Sequence, residues 1–579
     1  MRFHCLGVGS IGSLLATNLA ALPSTQVRLI LRRKDLAKQL LDTSAGPSAN
    51  PAHDASGIPF GSLTVERDGL AKRTAGLEME LTRSPNDFFE RSSHAGRAGG
   101  SGSSSRSGPQ IDPRVWNRQD PIQTLVVTTK TPATVPAIRH LLPRLSSRST
   151  IVLCQNGMGV LEALLEKYWP EDRSDEIEHS FSDQARSGRD SWSSQASAGG
   201  GRPSFVCATT THGAWRKGAA HFVHAGMGDL KFGVVPNRAV MSFLSQYPDP
   251  AWSDPSENPI LNPRSLIEPT LEHLPYAPVT SSLHTTVSSL LACKELQTSW
   301  LPLPTLQIAQ LQKLAVNASV NSITAIAGVH NGALVGSQKA KRVIESVTRE
   351  CADVFAAHVA YEQGTWRPTD PDTSDPAERP SRPPALPPSH PLSAHALLDY
   401  TLRVLLKTSV NISSTLSDLL PLQSNSPTSR SNFSLAQNAP SLPSRTEIEY
   451  INGYIVALGR RYGIRTDTVE ALGDLVLLKE EMARVGAVDR VWQSRGARPP
   501  SPAASTGSRT PSPRRASPEP AGSTFATEVP SAKSPRAPEH PHDRAARHIE
   551  MTRDSEARAR RREYERIERD RDDRAAGNG

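Results

Sequence analysis

The stretch Gly7-Val8-Gly9-Ser10-Ile11-Gly12 constrains this chain more than any other. It follows a short extended run, Arg2-Phe3-His4-Cys5-Leu6, and leads into a helical pattern of Leu14, Leu15 and Leu19. Val27-Arg28-Leu29-Ile30-Leu31 then reads as a second strand. The first glycine permits a tight turn, the second lets a diphosphate approach the backbone, and the third lets helix and strand pack closely. The helix behind the turn offers its N-terminal N–H groups to an anion. The expectation is a βαβ unit that binds a dinucleotide through Gly7, Val8, Gly9, Ser10, Ile11 and Gly12. The second strand ends in Arg32-Arg33-Lys34, where an NAD site usually has an acid for the ribose 2′-OH. A guanidinium suits a 2′-phosphate instead, so Arg32 points to NADP(H). The plain alternative is a solvated basic turn.

Strands and helices then alternate. Thr124–Lys130 reads as a buried parallel strand, Val135–Leu145 as a helix, and Thr150–Cys154, Phe205–Thr211 and Leu230–Val235 as further strands. That alternation implies an α/β, doubly wound (Rossmann) sheet. Ligands of such sheets bind outside the carboxyl ends of the strands, which places Lys130 and Asn156 at the crevice. Asn156-Gly157 is also an ordinary turn pair. Beyond residue 277 the pattern becomes helical: Gln307–Ala327, Ala340–Tyr361, Ala394–Val410 and Thr446–Tyr462. The expected layout is a nucleotide-binding domain over 1–236, with low-complexity insertions at about 44–56, 92–108 and 171–203. An all-α domain follows over 277–491, with insertions at about 365–393 and 421–443, and then a disordered tail over 493–579.

Composition agrees with that layout. The chain has 579 residues, 48 Pro and 38 Gly, 37 % apolar residues and a mean hydropathy of -0.42. It is too long for one domain and too polar to be folded throughout. Of the net charge of +8, five units sit after residue 494, where 18 Lys and Arg face 13 Asp and Glu. The body is near neutral, so no nucleic-acid groove is expected. No stretch of ~18 apolar residues suggests a membrane span. The N-terminus lacks a secretory leader pattern, and the five cysteines are scattered. They read as reduced thiols without metal-ligand spacing. The expected location is cytoplasmic, with the mitochondrion left open.

Two further stretches carry chemistry. Lys313, Asn317 and Asn321 recur every four residues among apolar neighbours, a polar stripe on one helix face. Buried polar groups need partners, which a ligand or an interhelical hydrogen-bond ladder supplies. Ser444-Arg445-Thr446-Glu447-Ile448-Glu449 holds two overlapping S/T-x-x-E capping boxes. If the helix caps at Thr446, Glu447 is left for another role.

Together with Thr210-Thr211-His212, Asn331-Gly332 and Thr446-Glu447-Ile448-Glu449-Tyr450-Ile451-Asn452-Gly453, these residues resemble the 2-dehydropantoate 2-reductase (ketopantoate reductase) family, in a fungal-type form with insertions. The resemblance implies a helical domain like the C-terminal domain of 6-phosphogluconate dehydrogenase. It also implies NADPH-dependent reduction of ketopantoate to pantoate on the route to pantothenate and coenzyme A. By the same resemblance, Arg32, Lys130, Asn156 and Ala214 join Gly7–Gly12 at the cofactor. Lys313 becomes the proton donor and Glu447 the acid beside the reaction centre. Asn156, Asn317, Asn321 and Asn331 orient the substrate, and Ser434 holds its carboxylate. The partner is a small 2-oxo acid; a homodimer is compatible, and the tail's partners are open. Two rivals stand beside this: an NADP-dependent reductase of another small 2-oxo acid, and a non-catalytic binding scaffold of the same shape.

Overall fold

The computed structural model describes residues 1–41, 59–82, 119–170, 201–237, 240, 258, 260, 262–278, 280–368, 383–420 and 444–494. These lie in the compact unit Met1–Pro500. The chain beyond Ser494, the insertions at 44–56, 92–108 and 421–443, and residues 171–200 of the insertion at 171–203 lie outside the described residues.

The opening unit forms as its pattern predicts: β1 (Arg2–Leu6), α1 (Ser10–Ala20) and β2 (Gln26–Leu31), followed by the short α2 (Lys34–Leu40). Leu14, Leu15 and Leu19 of α1 are buried against Phe3, Cys5 and Leu29 of the sheet. β3 (Phe60–Arg67) and β4 (Leu70–Leu81) make a hairpin around Asp68-Gly69. Both turn residues have positive φ (50° and 79°), as two-residue hairpin turns require. Then come β5 (Thr124–Val127), α3 (Thr131–Arg139), β6 (Thr150–Leu153), α4 (Val160–Tyr168), β7 (Ser204–Thr210), β8 (Gly213–Arg216), β9 (His221–Gly226) and β10 (Leu230–Val235).

With β11 (Thr298–Trp300), the strands form one sheet in the order β11-β10-β7-β6-β5-β1-β2-β4-β3-β9-β8. The six central strands, β7 to β4, run parallel. The chain winds one way from β1 to β2 and the other way from β1 to β5. The switch point between β1 and β5 is where such sheets open a ligand crevice. The expected doubly wound sheet is present, with β10 antiparallel at one side and the β3–β4 and β8–β9 pairs at the other.

The sequence reading begins the helical part at residue 277, and the structure moves that boundary. Helix α5 (Ser281–Ala292) packs on the sheet: Thr286 Oγ1 lies 2.7 Å from Thr124 Oγ1, and Ser282 Oγ lies 2.9 Å from Thr150 Oγ1. Leu283, Val287 and Leu290 join the sheet's core, and β11 extends the sheet itself. Apolar burial assigns residues 281–300 to the first domain.

The helical part starts at α6 (Leu303–Val316) and continues through a π-helical turn, Asn317–Asn321, into α7 (Ser322–Ala327). It goes on with α8 (Gln338–Glu362), α9 (Ala394–Lys407), α10 (Ser414–Leu419), α11 (Asn452–Tyr462) and α12 (Asp467–Ser494). The side chains of Ser337, Ser393 and Ser413 accept from backbone N–H groups at the starts of α8, α9 and α10. Val347, Phe355, Leu397, Ile455 and Val469 are fully buried between these helices. Among the described residues, no helix is long and apolar enough to cross a membrane.

Candidate active site

Four of the expected site residues meet where the carboxyl ends of the strands face α6. Lys130 follows β5, Asn156 follows β6, Lys313 projects from α6, and Glu447 precedes α11. Lys313 Nζ donates to Asn156 Oδ1 at 3.0 Å and to the Thr210 carbonyl at 2.8 Å. Asn156 Nδ2 in turn donates to Glu447 Oε2 at 3.4 Å. The amide therefore links ammonium to carboxylate across 134 residues of sequence separation. Burial depresses the Lys313 pKa below the usual lysine value, against the opposing pull of Cys154, Glu447 and Asp229. A small pocket opens beside Lys313, lined by Gln155, Asn156, Thr209, Gln310 and Asn317 among others.

Glu447 is buried and shared. Its Oε1 accepts from the Thr131 backbone N–H at 3.1 Å and from Thr131 Oγ1 at 3.3 Å, and its Oε2 accepts from Lys130 Nζ at 3.3 Å. The capping reading of this residue fails. Residues Ile448–Tyr450 form a 3-10 turn, and Glu447 makes no capping bond there. Thr446 is held by Glu480 of α12, through its N–H at 2.9 Å and its hydroxyl at 2.8 Å, so neither capping box forms. The Lys130 ammonium also reaches Asp418 Oδ2 at 2.9 Å. Burial works against its charge, but Glu447 and Asp418 outweigh burial and raise its pKa above the lysine norm. Burial pushes Asp418 up to about 6, in spite of Lys130.

The stripe continues behind Lys313. Asn321 Nδ2 donates to Asn317 Oδ1 at 3.2 Å and to Ser414 Oγ at 3.4 Å. Asn317 and Asn321 bound the π turn, whose wider backbone leaves carbonyls short of helical donors. Asn452 Nδ2 donates to the Ala318 carbonyl of this turn at 3.4 Å. Asn331 lies apart, donating from Nδ2 to Thr408 Oγ1 at 3.0 Å. Its buried Oδ1 has no hydrogen-bond partner among the described residues. Ser434 lies outside the described residues. Among the described residues, Ser414 adjoins the amide stripe, and the sequence reading passes over it together with Asp418. Their signal was Ser413-Ser414-Thr415-Leu416-Ser417-Asp418, an N-capped helix just before the insertion at 421–443.

The nucleotide turn stands at the switch point. Gly7 has φ 104°, and a Cβ there would come within 2.5 Å of the Thr129 nitrogen. A Cβ on Gly12 would overlap the Gly7 carbonyl oxygen, whereas one on Gly9 would meet nothing within 4 Å. Gly7 and Gly12 are thus demanded by packing, whereas nothing crowds Gly9. Gly9 is the N-cap of α1 and has no side chain to occupy the first-turn N–H groups, nor is there an acid in that turn. The arrangement fits a diphosphate. Arg32 is exposed at the end of β2. Ala214 sits in β8, and this strand meets the turn through Arg216, whose Nη2 donates to Val8 O at 2.9 Å.

Two family profiles match the chain. “Ketopantoate reductase PanE/ApbA” covers residues 96–237, and “Ketopantoate reductase PanE/ApbA C terminal” covers 305–428 and 429–480, together more than half of the sequence. A Schizosaccharomyces pombe protein named “Probable 2-dehydropantoate 2-reductase” is 26 % identical over 463 residues, which is 80 % of this chain and 91 % of the relative. A Saccharomyces cerevisiae “2-dehydropantoate 2-reductase” is 23 % identical over 358 residues, 62 % of this chain and 68 % of that one. A solved D-mandelate dehydrogenase with NADH and anilino(oxo)acetate aligns over 83 % of this chain and 99 % of its own, at 14 % identity and a TM-score of 0.46.

Proposed function

The chain belongs to the ketopantoate reductase family, and from that premise we propose that it reduces ketopantoate to pantoate with NADPH, using Lys313 as proton donor. The observation that carries the reading is the Lys313–Asn156–Glu447 link at the strand ends, within a site whose glycine turn fits a dinucleotide. A scaffold without chemistry has no need of a half-buried ammonium.

The residues around the turn, Gly7 to Gly12, would hold the cofactor diphosphate, and Arg32 its 2′-phosphate. Bound NADPH supplies hydride to the C2 ketone. Lys313 Nζ donates the proton that the developing alkoxide needs, and its positive charge stabilises that oxygen beforehand. Burial lowers the pKa of this ammonium, which makes it a better acid than a solvated lysine. Asn156 aims the ammonium, and Glu447 orients Asn156 by accepting from Nδ2, which leaves Oδ1 to face Lys313. Asn317, Asn321 and Ser414 offer amide and hydroxyl groups to a carboxylate on the same face.

A panel of 2-oxo acids with purified protein and NADPH, followed by loss of NADPH absorbance, tests the reading. Ketopantoate should give the highest kcat/KM. Preference for another 2-oxo acid by more than an order of magnitude selects the rival reductase, and turnover of none selects the scaffold. The reading includes a cytoplasmic homodimer. Supporting it, α12 exposes Leu475, Leu478, Met482 and Val485 at 3-4-3 spacing, the pattern of a helix-pairing seam. Light scattering on Met482→Glu should then report monomer, and microscopy of tagged protein tests the location.

A further inference from the structure

Arg216 is remote in sequence from the glycine turn and yet touches it. Strand β8 brings its guanidinium to the Val8 carbonyl, 2.9 Å away. The guanidinium carbon lies 5.2 Å from the ring centre of Phe222, a fully buried side chain of β9. An arginine anchored on a ring and a carbonyl is pre-organised, and one contact to Val8 leaves its other N–H groups for a further acceptor.

Its electrostatic setting favours an anion. Burial, then the nearby charge of Arg33, hold the Arg216 pKa below the arginine norm. Arg33 is the first residue after Arg32 and N-caps α2, at the end of β2. In this fold the end of the second strand faces the adenosine ribose of the nucleotide. Among the residues whose side chains are described, which leave out Lys34 and Asp35, no carboxylate pairs with Arg216. Glu66 on β3, one strand beyond β9, is engaged by Lys217 at 2.7 Å and His221 at 2.9 Å. The fold therefore carries the Arg216 guanidinium from β8 to the glycine turn, near the β2 end, where its remaining N–H groups suit a phosphate.

We infer that Arg216, carried in from β8, is a second cationic ligand of the NADPH 2′-phosphate, opposite Arg32 and Arg33. The inference rests on the cofactor reading above. It makes selection for NADP over NAD a property of two segments, the β2 end and the β8–β9 hairpin.

Calorimetric titration of the full chain with NADP⁺ and with NAD⁺ tests it without turnover. Arg216→Met keeps the stem over Phe222 and removes the charge. It should weaken NADP⁺ binding about tenfold, the size of one charge-assisted contact, and leave NAD⁺ within about twofold. Arg216→Lys should recover part of the loss, and the salt dependence of NADP⁺ binding should be shallower in Arg216→Met. Equal weakening of both nucleotides would mean that Arg216 serves the turn or the diphosphate, and would overturn the inference. So would an unchanged NADP⁺ affinity. A wild-type chain that does not bind NADP⁺ refutes the cofactor reading itself, whereas a binding wild type with an indifferent variant refutes only the role of Arg216.

Discussion

Replacing Glu447 separates a catalytic role from a structural one, because its four contacts differ in kind. Oε1 accepts from the buried Thr131 N–H and hydroxyl, while Oε2 accepts from Lys130 and Asn156. Glu447→Ala strands the Thr131 N–H and removes one of the two carboxylates that hold Lys130. Lys130 is 41 % exposed, so its lost ion pair counts for little, and the stranded Thr131 donors should cost about 2–3 kcal/mol. Glu447→Gln keeps an amide oxygen for Thr131 but turns its NH₂ toward two other donors, so its stability cost should be only ~1–2 kcal/mol. Turnover should fall in both. Without a carboxylate at Nδ2, nothing dictates which way the Asn156 amide faces, and the reversed amide has no acceptor for Lys313. Losing that one charge-assisted bond is worth about 1.5–3 kcal/mol, or roughly 10–100-fold in kcat. The assay is steady-state NADPH oxidation with ketopantoate beside thermal melts of both variants. Adding Lys313→Ala to Glu447→Gln should cost less than the two single effects combined, since both disable one proton transfer. Wild-type kcat in Glu447→Gln, or full additivity with Lys313→Ala, refutes the linkage.

Lys313→Ala should lower kcat by ~10²–10⁴-fold, the range for a lost general acid, with stability changed by less than about 1 kcal/mol because the buried ammonium is already poorly solvated. Wild-type kcat should fall as pH rises through a pKa below the usual lysine value, since the protonated form is the donor; a flat profile across that range contradicts the assignment. Asp418, near 6 when folded and ~3.9 when unfolded, binds its proton more tightly in the native state. Its contribution is therefore present below pH ~4 and lost as pH rises to ~6, about 3 kcal/mol in all. Relative to Asp418→Asn, the wild type should lose that much across this window in urea titrations, and parallel curves would exclude it. Ser414→Ala should raise the KM for ketopantoate about tenfold with little change in kcat, the mark of lost uniform binding; an effect from Ser434→Ala in its place would favour the sequence assignment of Ser434 instead.

The glycine turn was legible because its requirements are local. A positive φ at Gly7 and close packing at Gly12 are properties of a strand–turn–helix, and six consecutive letters carry them. The strands and most helices were legible for a similar reason, since period-2 and period-3.6 burial is written along each segment. Lys313 and Glu447 could be nominated from their neighbours, but their juncture through Asn156 could not. Three segments supply it, and no local pattern records the distance between them. The same holds where local rules misled. Overlapping capping boxes at Ser444–Glu449 obey helix-start grammar, yet Glu480 on α12 takes Thr446 and Lys130 takes Glu447, because buried charges seek partners wherever the fold brings them. Arg28, Glu78 and Glu80 alternate along β2 and β4 as a solvated face would, yet all three are buried. Arg28 Nε meets Glu78 at 2.8 Å, and Glu80 pairs with Arg144 from beyond α3. Hydrophobic period and turn chemistry act between neighbours in sequence and can be read there. Ion pairing, amide orientation and the placing of Ser414 and Arg216 act between neighbours in space, and depend on how the sheet and the helices come together.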